Sequence, residues 1–70
     1  MKSIDVRGLS CPEPVIRTRK ALQELPTNES LEVLVETVTS RENVKRTVGQ
    51  LGYRVKVETI DDGFRLLIDK

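Results

Sequence analysis

Asp5-Val6-Arg7-Gly8-Leu9-Ser10-Cys11-Pro12-Glu13-Pro14-Val15 carries the chain from a short apolar strand, through a glycine turn, into a helix that starts at its single cysteine. Ile4 and Val6 alternate with Asp5 and Arg7, the period of a half-buried strand. Gly8 can take a positive φ, which suits a sharp turn, and Leu9 is placed to fold back over the helix that follows.

The helix start fits two registers. In one, Ser10 caps the helix and Glu13 closes a capping box, with Leu9 against Pro14 as a staple. In the other, Cys11 is the cap, Pro12 takes the favoured first helical position and Pro14 the third. A residue before proline avoids helical backbone, so Cys11 suits a non-helical cap and the second register is preferred. Glu13 also precedes a proline, a local conflict in either case. The first amides of a helix have no partner within it, and Pro12 and Pro14 carry no amide hydrogen. Neither proline therefore breaks a helical bond, and the Glu13 amide is left as the natural donor to the sulfur. Helix-start dipoles favour an anionic sulfur, so the Cys11 thiol is expected to be exposed and partly ionised, below the free value of about 8.5. Arg7 or Arg17 would favour the thiolate and Glu13 would oppose it.

Outward from this stretch, Val15, Thr18, Leu22 and Leu25 form one helical stripe, with Arg17 and Lys20 on the outer faces. Pro26-Thr27-Asn28-Glu29-Ser30 is a turn cluster. Leu31-Glu32-Val33-Leu34-Val35-Glu36-Thr37 alternates as a strand, Leu31, Val33 and Val35 sharing one face. Thr39-Ser40-Arg41-Glu42 matches a capping box and predicts a second helix with Val44, Val48 and Leu51 inward and Gly52 as its C-terminal cap. Tyr53 to Ile60 alternates again, Asp62-Gly63 signals a two-residue hairpin, and Phe64, Leu66 and Ile68 return on a last strand.

The order is strand, helix, strand, helix, strand, strand. Right-handed crossovers put both helices on one side of the sheet, and strands with one apolar face require one covered face. The expected fold is an α/β (α+β) two-layer sandwich, βαβαββ, with a mixed four-stranded sheet and two helices on one face. A single domain, 1–70, is expected, and the end at Asp69-Lys70 is compatible with a domain cut from a longer protein.

Composition narrows the function. The charges nearly cancel at a net +1, which argues against nucleic acid or an anionic membrane as a strong partner. Tyr53 and Phe64 are the only aromatic residues, too few for a base-stacking platform. A single cysteine excludes an internal disulfide, no apolar run is long enough to span a bilayer, and Met1-Lys2-Ser3-Ile4 does not read as a signal peptide. A cytoplasmic location is expected. Histidine is absent, which removes the commonest general base and metal ligand.

Asp5-x-Arg7-Gly8-Leu9-x-Cys11-Pro12-x-Pro14-Val15 resembles the signature of the TusA/SirA-like sulfur-carrier family, whose hallmark is a Cys-Pro-x-Pro helix start. Val33-Leu34-Val35-Glu36, Arg41-Glu42-Asn43-Val44-Lys45-Arg46 and Leu51-Gly52-Tyr53 resemble the branch that forms the N-terminal domain of YedF-like selenium-metabolism proteins. The resemblance covers almost the whole chain. It implies a two-layer sandwich and a cysteine, here Cys11, that accepts sulfur as a persulfide from a cysteine desulfurase or other donor protein and relays it to a downstream acceptor protein. It implies no cofactor beyond that covalent persulfide. Arg7, Gly8, Pro12, Glu13 and Pro14 fall on the motif as supporting residues. Many relatives carry an aspartate after the second strand, and Glu36 matches it with one extra methylene.

Two functions are thus in play. One is a sulfur, or by parallel chemistry selenium, relay rather than a turnover enzyme: thiol exchange needs an accessible thiolate and no added base, so the missing histidine is tolerable. A cysteine hydrolase would need a partner base. The other is a non-catalytic regulatory or protein-docking module with a redox-sensitive cysteine, with RNA binding by the sheet face as a variant that Glu32 and Glu36 argue against.

Overall fold

The computed structural model describes residues 2–9, 13–26 and 29–69. Six elements follow in order: β1 (Lys2–Asp5), α1 (Glu13–Gln23), β2 (Leu31–Val35), α2 (Val38–Gln50), β3 (Arg54–Ile60) and β4 (Gly63–Asp69). They build the expected two-layer sandwich. The sheet order is β1-β2-β4-β3, with β1 parallel to β2 and β4 antiparallel to both of its neighbours. The last strand thus inserts between its two predecessors and sits at the centre.

Strand alternation becomes a two-faced sheet. Leu31, Val33 and Val35 lie opposite Ile68, Leu66 and Phe64 across the β2–β4 ladder. Five of these six are fully buried, and Ala21 and Leu22 of α1 and Val44 and Val48 of α2 close over them. Both helices therefore cover the same face. The opposite face is polar and ion-paired. Arg65 reaches Glu32 at 3.4 Å and is hydrogen bonded to Glu58, while the Ser3 hydroxyl donates to Glu32 at 2.8 Å. Leu34 and Leu67 are half-buried among these groups.

The predicted apolar stripe of α1 holds at Thr18 and Leu22 and widens to take in Pro14 and Ala21. Pro14, Thr18, Ala21 and Leu22 are buried, whereas Val15 and Leu25 are half-buried at its margin. Among the described residues Thr18 is the only buried polar one, and its hydroxyl donates to the Pro14 carbonyl at 2.8 Å. A hydroxyl that returns to the preceding turn removes its own desolvation penalty.

Three local expectations are corrected. The α2 cap is Thr37, not Thr39: Thr37 is extended (φ −119°, ψ 156°) and its hydroxyl accepts the Ser40 amide at 3.0 Å. Thr39 and Glu42 lie inside the helix, so the capping-box pattern there is coincidental. Leu51 is 48% exposed instead of inward. Two bonds stop the helix there: the Gly52 amide donates to the Gly49 carbonyl and the Tyr53 amide to that of Val48. Gly52 at φ 90° is the expected cap, and the chain turns before Leu51 can face the core.

The third correction concerns the hairpin. Ile60 pairs with Gly63, so Asp61-Asp62 forms the two-residue loop and Gly63 already belongs to β4. Gly63 serves a close approach rather than the turn. At φ 141°, a Cβ there would lie 2.2 Å from the Val35 carbonyl oxygen and 2.7 Å from the Glu36 Cα.

Thr37→Ala is expected to lower stability by about 1 kcal/mol, whereas Thr39→Ala should stay within about 0.5 kcal/mol of the parent. Urea melts of the pair distinguish the two caps. Gly63→Ala combines backbone strain with a clash against main chain and should cost more than about 2 kcal/mol in the same melts.

Candidate functional site

Strands β1 and β2 run parallel, so their C-terminal ends lie side by side, and the start of β4 pairs with the end of β2. This edge of the sheet collects the motif residues. Beyond β1 the chain stays on the sheet for one further step: the Val6 amide donates to the Leu34 carbonyl at 2.9 Å and Val6 is buried. Arg7 then lies on the polar side. Its Nε and Nη2 donate to the Asp5 carboxylate at 3.0 and 2.9 Å, its own amide donates to the same group at 3.0 Å, and Nη1 is 3.6 Å from Asp62 of the hairpin.

Gly8 follows at φ 84°, and its amide donates to Glu36 Oε1 at 2.8 Å. Leu9 is half-buried and packs against the core, its amide donating to the Val6 carbonyl at 3.3 Å. Ser10, Cys11 and Pro12 lie outside the described residues, as do Thr27 and Asn28 of the turn cluster. The two helix-start registers, which turn on Ser10 and Cys11, fall in that stretch. Glu13 is exposed at the start of α1 and accepts from Arg17 Nε at 3.4 Å, an i,i+4 pair. Pro14 is fully buried beneath it.

Arg7, Gly8 and Glu36 therefore form one cluster, while Glu13 is engaged separately with Arg17. Sequence reading missed two members of the cluster, Asp5 and Asp62. The i,i+2 spacing of Asp5 and Arg7, which puts both on one strand face, was a usable signal. Asp62 had none, because only the antiparallel return of β4 carries the hairpin tip to Arg7.

Electrostatics follow from this packing. Hydrogen bonds from the Arg7 side chain and amide, with its charge, hold the Asp5 carboxyl down at about 2 against an ordinary 3.8. The Arg7 guanidinium is held above its usual range by the bond to Asp5, then by the charges of Asp5, Asp62 and Glu36. Arg7 is thus already matched by carboxylates, as Arg17 is by Glu13. Among the described residues no group of three or more His, Cys, Asp or Glu side chains could hold a metal ion, and no helix is long and apolar enough to cross a membrane.

Comparison with known proteins decides the family. The family model described as "Sulfurtransferase TusA" matches residues 2–70. The chain belongs to the TusA family. A candidate sulfur carrier protein of Methanocaldococcus jannaschii is 44% identical over 71 residues, covering all of this chain and 95% of the relative. The sulfur carrier protein TusA of Pseudomonas syringae pv. syringae is 28% identical over 60 residues, covering 86% of this chain and 71% of the relative. Among solved structures, a SirA-like protein from Desulfitobacterium hafniense superposes with a TM-score of 0.86 at 36% identity, covering 97% of this chain and 93% of that one. The TusA fold expected from the motif is the fold observed.

Because Asp5 is depressed by its partner, its contribution to stability is complete above the ordinary 3.8 and is lost as pH falls through about 2. Arg7→Ala should return the Asp5 midpoint towards 3.8, read from the side-chain carboxyl carbon shift in an NMR titration. A midpoint that stays near 2 in the variant would assign the depression to another group.

Proposed function

We propose that this TusA-family protein is a sulfur carrier whose working group is Cys11. What carries the reading is the family match over residues 2–70, together with a single cysteine set in the Cys11-Pro12-Glu13-Pro14 motif. The Cys11 thiolate attacks the terminal sulfur of a persulfide on a donor protein. A new S–S bond forms to Cys11, the donor's own S–S bond breaks, and the donor cysteine leaves as its thiolate. Cys11 then bears the persulfide, and no external oxidant or reductant is consumed. Delivery repeats the exchange, with an acceptor thiol attacking the terminal sulfur and the Cys11 thiolate leaving. The donor is a cysteine desulfurase or a protein of like chemistry, and no cofactor is needed beyond the covalent persulfide.

Each supporting residue has a part in this reading. Burial of Pro14 and the Thr18 bond to its carbonyl secure the first turn of α1. Arg7, Gly8 and Glu36 brace the approach to it from the sheet edge. Glu13 and Arg17 pair on the outer surface, which limits the charge that either presents to the sulfur. Residues 1–70 act as one carrier domain in this reading, and a reducing cytoplasm would keep the acceptor sulfur as a thiol.

Incubation with a cysteine desulfurase and cysteine should add the mass of one sulfur atom to the intact protein. The adduct should be removed by dithiothreitol and be absent from Cys11→Ser. A wild-type protein that gains no sulfur, or a Cys11→Ser variant that gains it equally, overturns the assignment.

A further inference from the structure

We propose that this protein pairs with a second copy of itself edge to edge, β3 against β3 and antiparallel about Val57, so that two sheets become one continuous sheet. The proposal is independent of the sulfur-carrier reading. Among the described residues β3 is an edge strand, paired with β4 alone. It runs for 7 residues, against 4 for β1 at the other edge, and pairs with β4 at every position from Arg54 to Ile60. Proteins commonly guard such an edge by shortness, a proline, a bulge or charge. Only charge is present here: Arg54, Lys56 and Glu58.

The direction of the free backbone groups follows from the rest of the sheet. The Lys2 amide takes the Ser30 carbonyl and the Val6 amide that of Leu34, so even-numbered positions at β2 turn towards β1. By alternation Val33 and Val35 bond to Leu66 and Phe64 of β4, and Arg65 and Leu67 bond to Glu58 and Lys56 of β3. The amides and carbonyls of Val55, Val57 and Thr59 are left pointing off the edge.

Charge then selects one register. With a two-fold axis through Val57, the whole strand is paired. Val57 meets Val57 of the second copy, Val55 meets Thr59, and Lys56 meets Glu58 on both sides of the axis. Moving the axis to Lys56 sets two lysines opposite each other, and moving it to Glu58 sets two glutamates opposite, both unfavourable. Glu58 can take a second cation: both Arg65 donors fall on its Oε1, and those bonds hold its carboxyl below the ordinary value, so it is charged at neutral pH. Lys56 is exposed, whereas Val55 and Val57 are half-buried against the core and would be covered by their counterparts. The charges that guard this edge against other strands are thus complementary to the edge itself.

Sedimentation equilibrium should show the wild type passing from monomer towards dimer between about 10 μM and about 1 mM. Over the same range the Val55, Val57 and Thr59 amides should exchange at least about threefold more slowly. Thr59→Pro removes an outward amide at an exposed position and leaves the β4 bonds in place, and it should weaken association at least about tenfold. Lys56→Glu, also at an exposed position, should do the same by setting glutamates against glutamates. Glu58→Lys should fail to associate alone yet pair with Lys56→Glu when the two are mixed. Circular dichroism checks that each variant is folded. If Glu58→Lys unfolds through loss of the Arg65 bond, a mixture of isotope-labelled and unlabelled wild type decides the register. A nuclear Overhauser contact between Lys56 Hα of one copy and Glu58 Hα of the other upholds it, and its absence overturns it. A wild type that stays monomeric up to about 1 mM, which would leave the edge to another protein's strand or to solvent, also overturns the proposal. So does a dimer that neither Thr59→Pro nor Lys56→Glu weakens.

Discussion

The pairing of β2 with β4 is the constraint from which the rest of the molecule follows. Leu31, Val33 and Val35 meet Ile68, Leu66 and Phe64 across this ladder, and all but Phe64 are completely buried. Each such side chain contributes about 1.5–3 kcal/mol by burial, a large share of the net stability open to a chain of this size. Both helices seat on this pair, and β1 and β3 flank it as edges. A slip of one residue would turn the apolar set of the shifted strand to solvent, so the register is strongly specified.

That register also builds the site. Ending β2 at Val35 opposite Phe64 places Glu36, Gly63 and Asp62 at the edge where the parallel β1 also ends. Both helices begin beyond those strand ends, and open α/β sheets commonly carry their functional groups there. The chain segment before Cys11 is therefore gripped by groups from three separate segments. Arg7 meets Asp5 and Asp62, and Gly8 meets Glu36. Strength comes from the centre of the sheet and is passed to the loop by directional hydrogen bonds.

Charge is distributed so that the cations around this edge are already matched. Arg7 faces Asp5 and Asp62, Arg17 faces Glu13, and Arg41 pairs with Glu42 while its guanidinium lies 4.6 Å from the Phe64 ring centre.

The sequence by itself determined the element order, the inward faces of β2 and β4, the Gly52 cap and the Cys-Pro-x-Pro motif. Each is written in a local pattern: a period of two, a period near 3.6, a glycine at a helix end, four adjacent residues. Tertiary structure alone decided that Thr37 rather than Thr39 caps α2, that Leu51 faces out, and that Gly63 serves a close approach instead of the turn. It alone joined Gly8 to Glu36 and Arg7 to Asp62. These depend on where β2 ends relative to β4 and on how near two backbones come. Such distances arise between residues remote in sequence, and no short-range pattern encodes them.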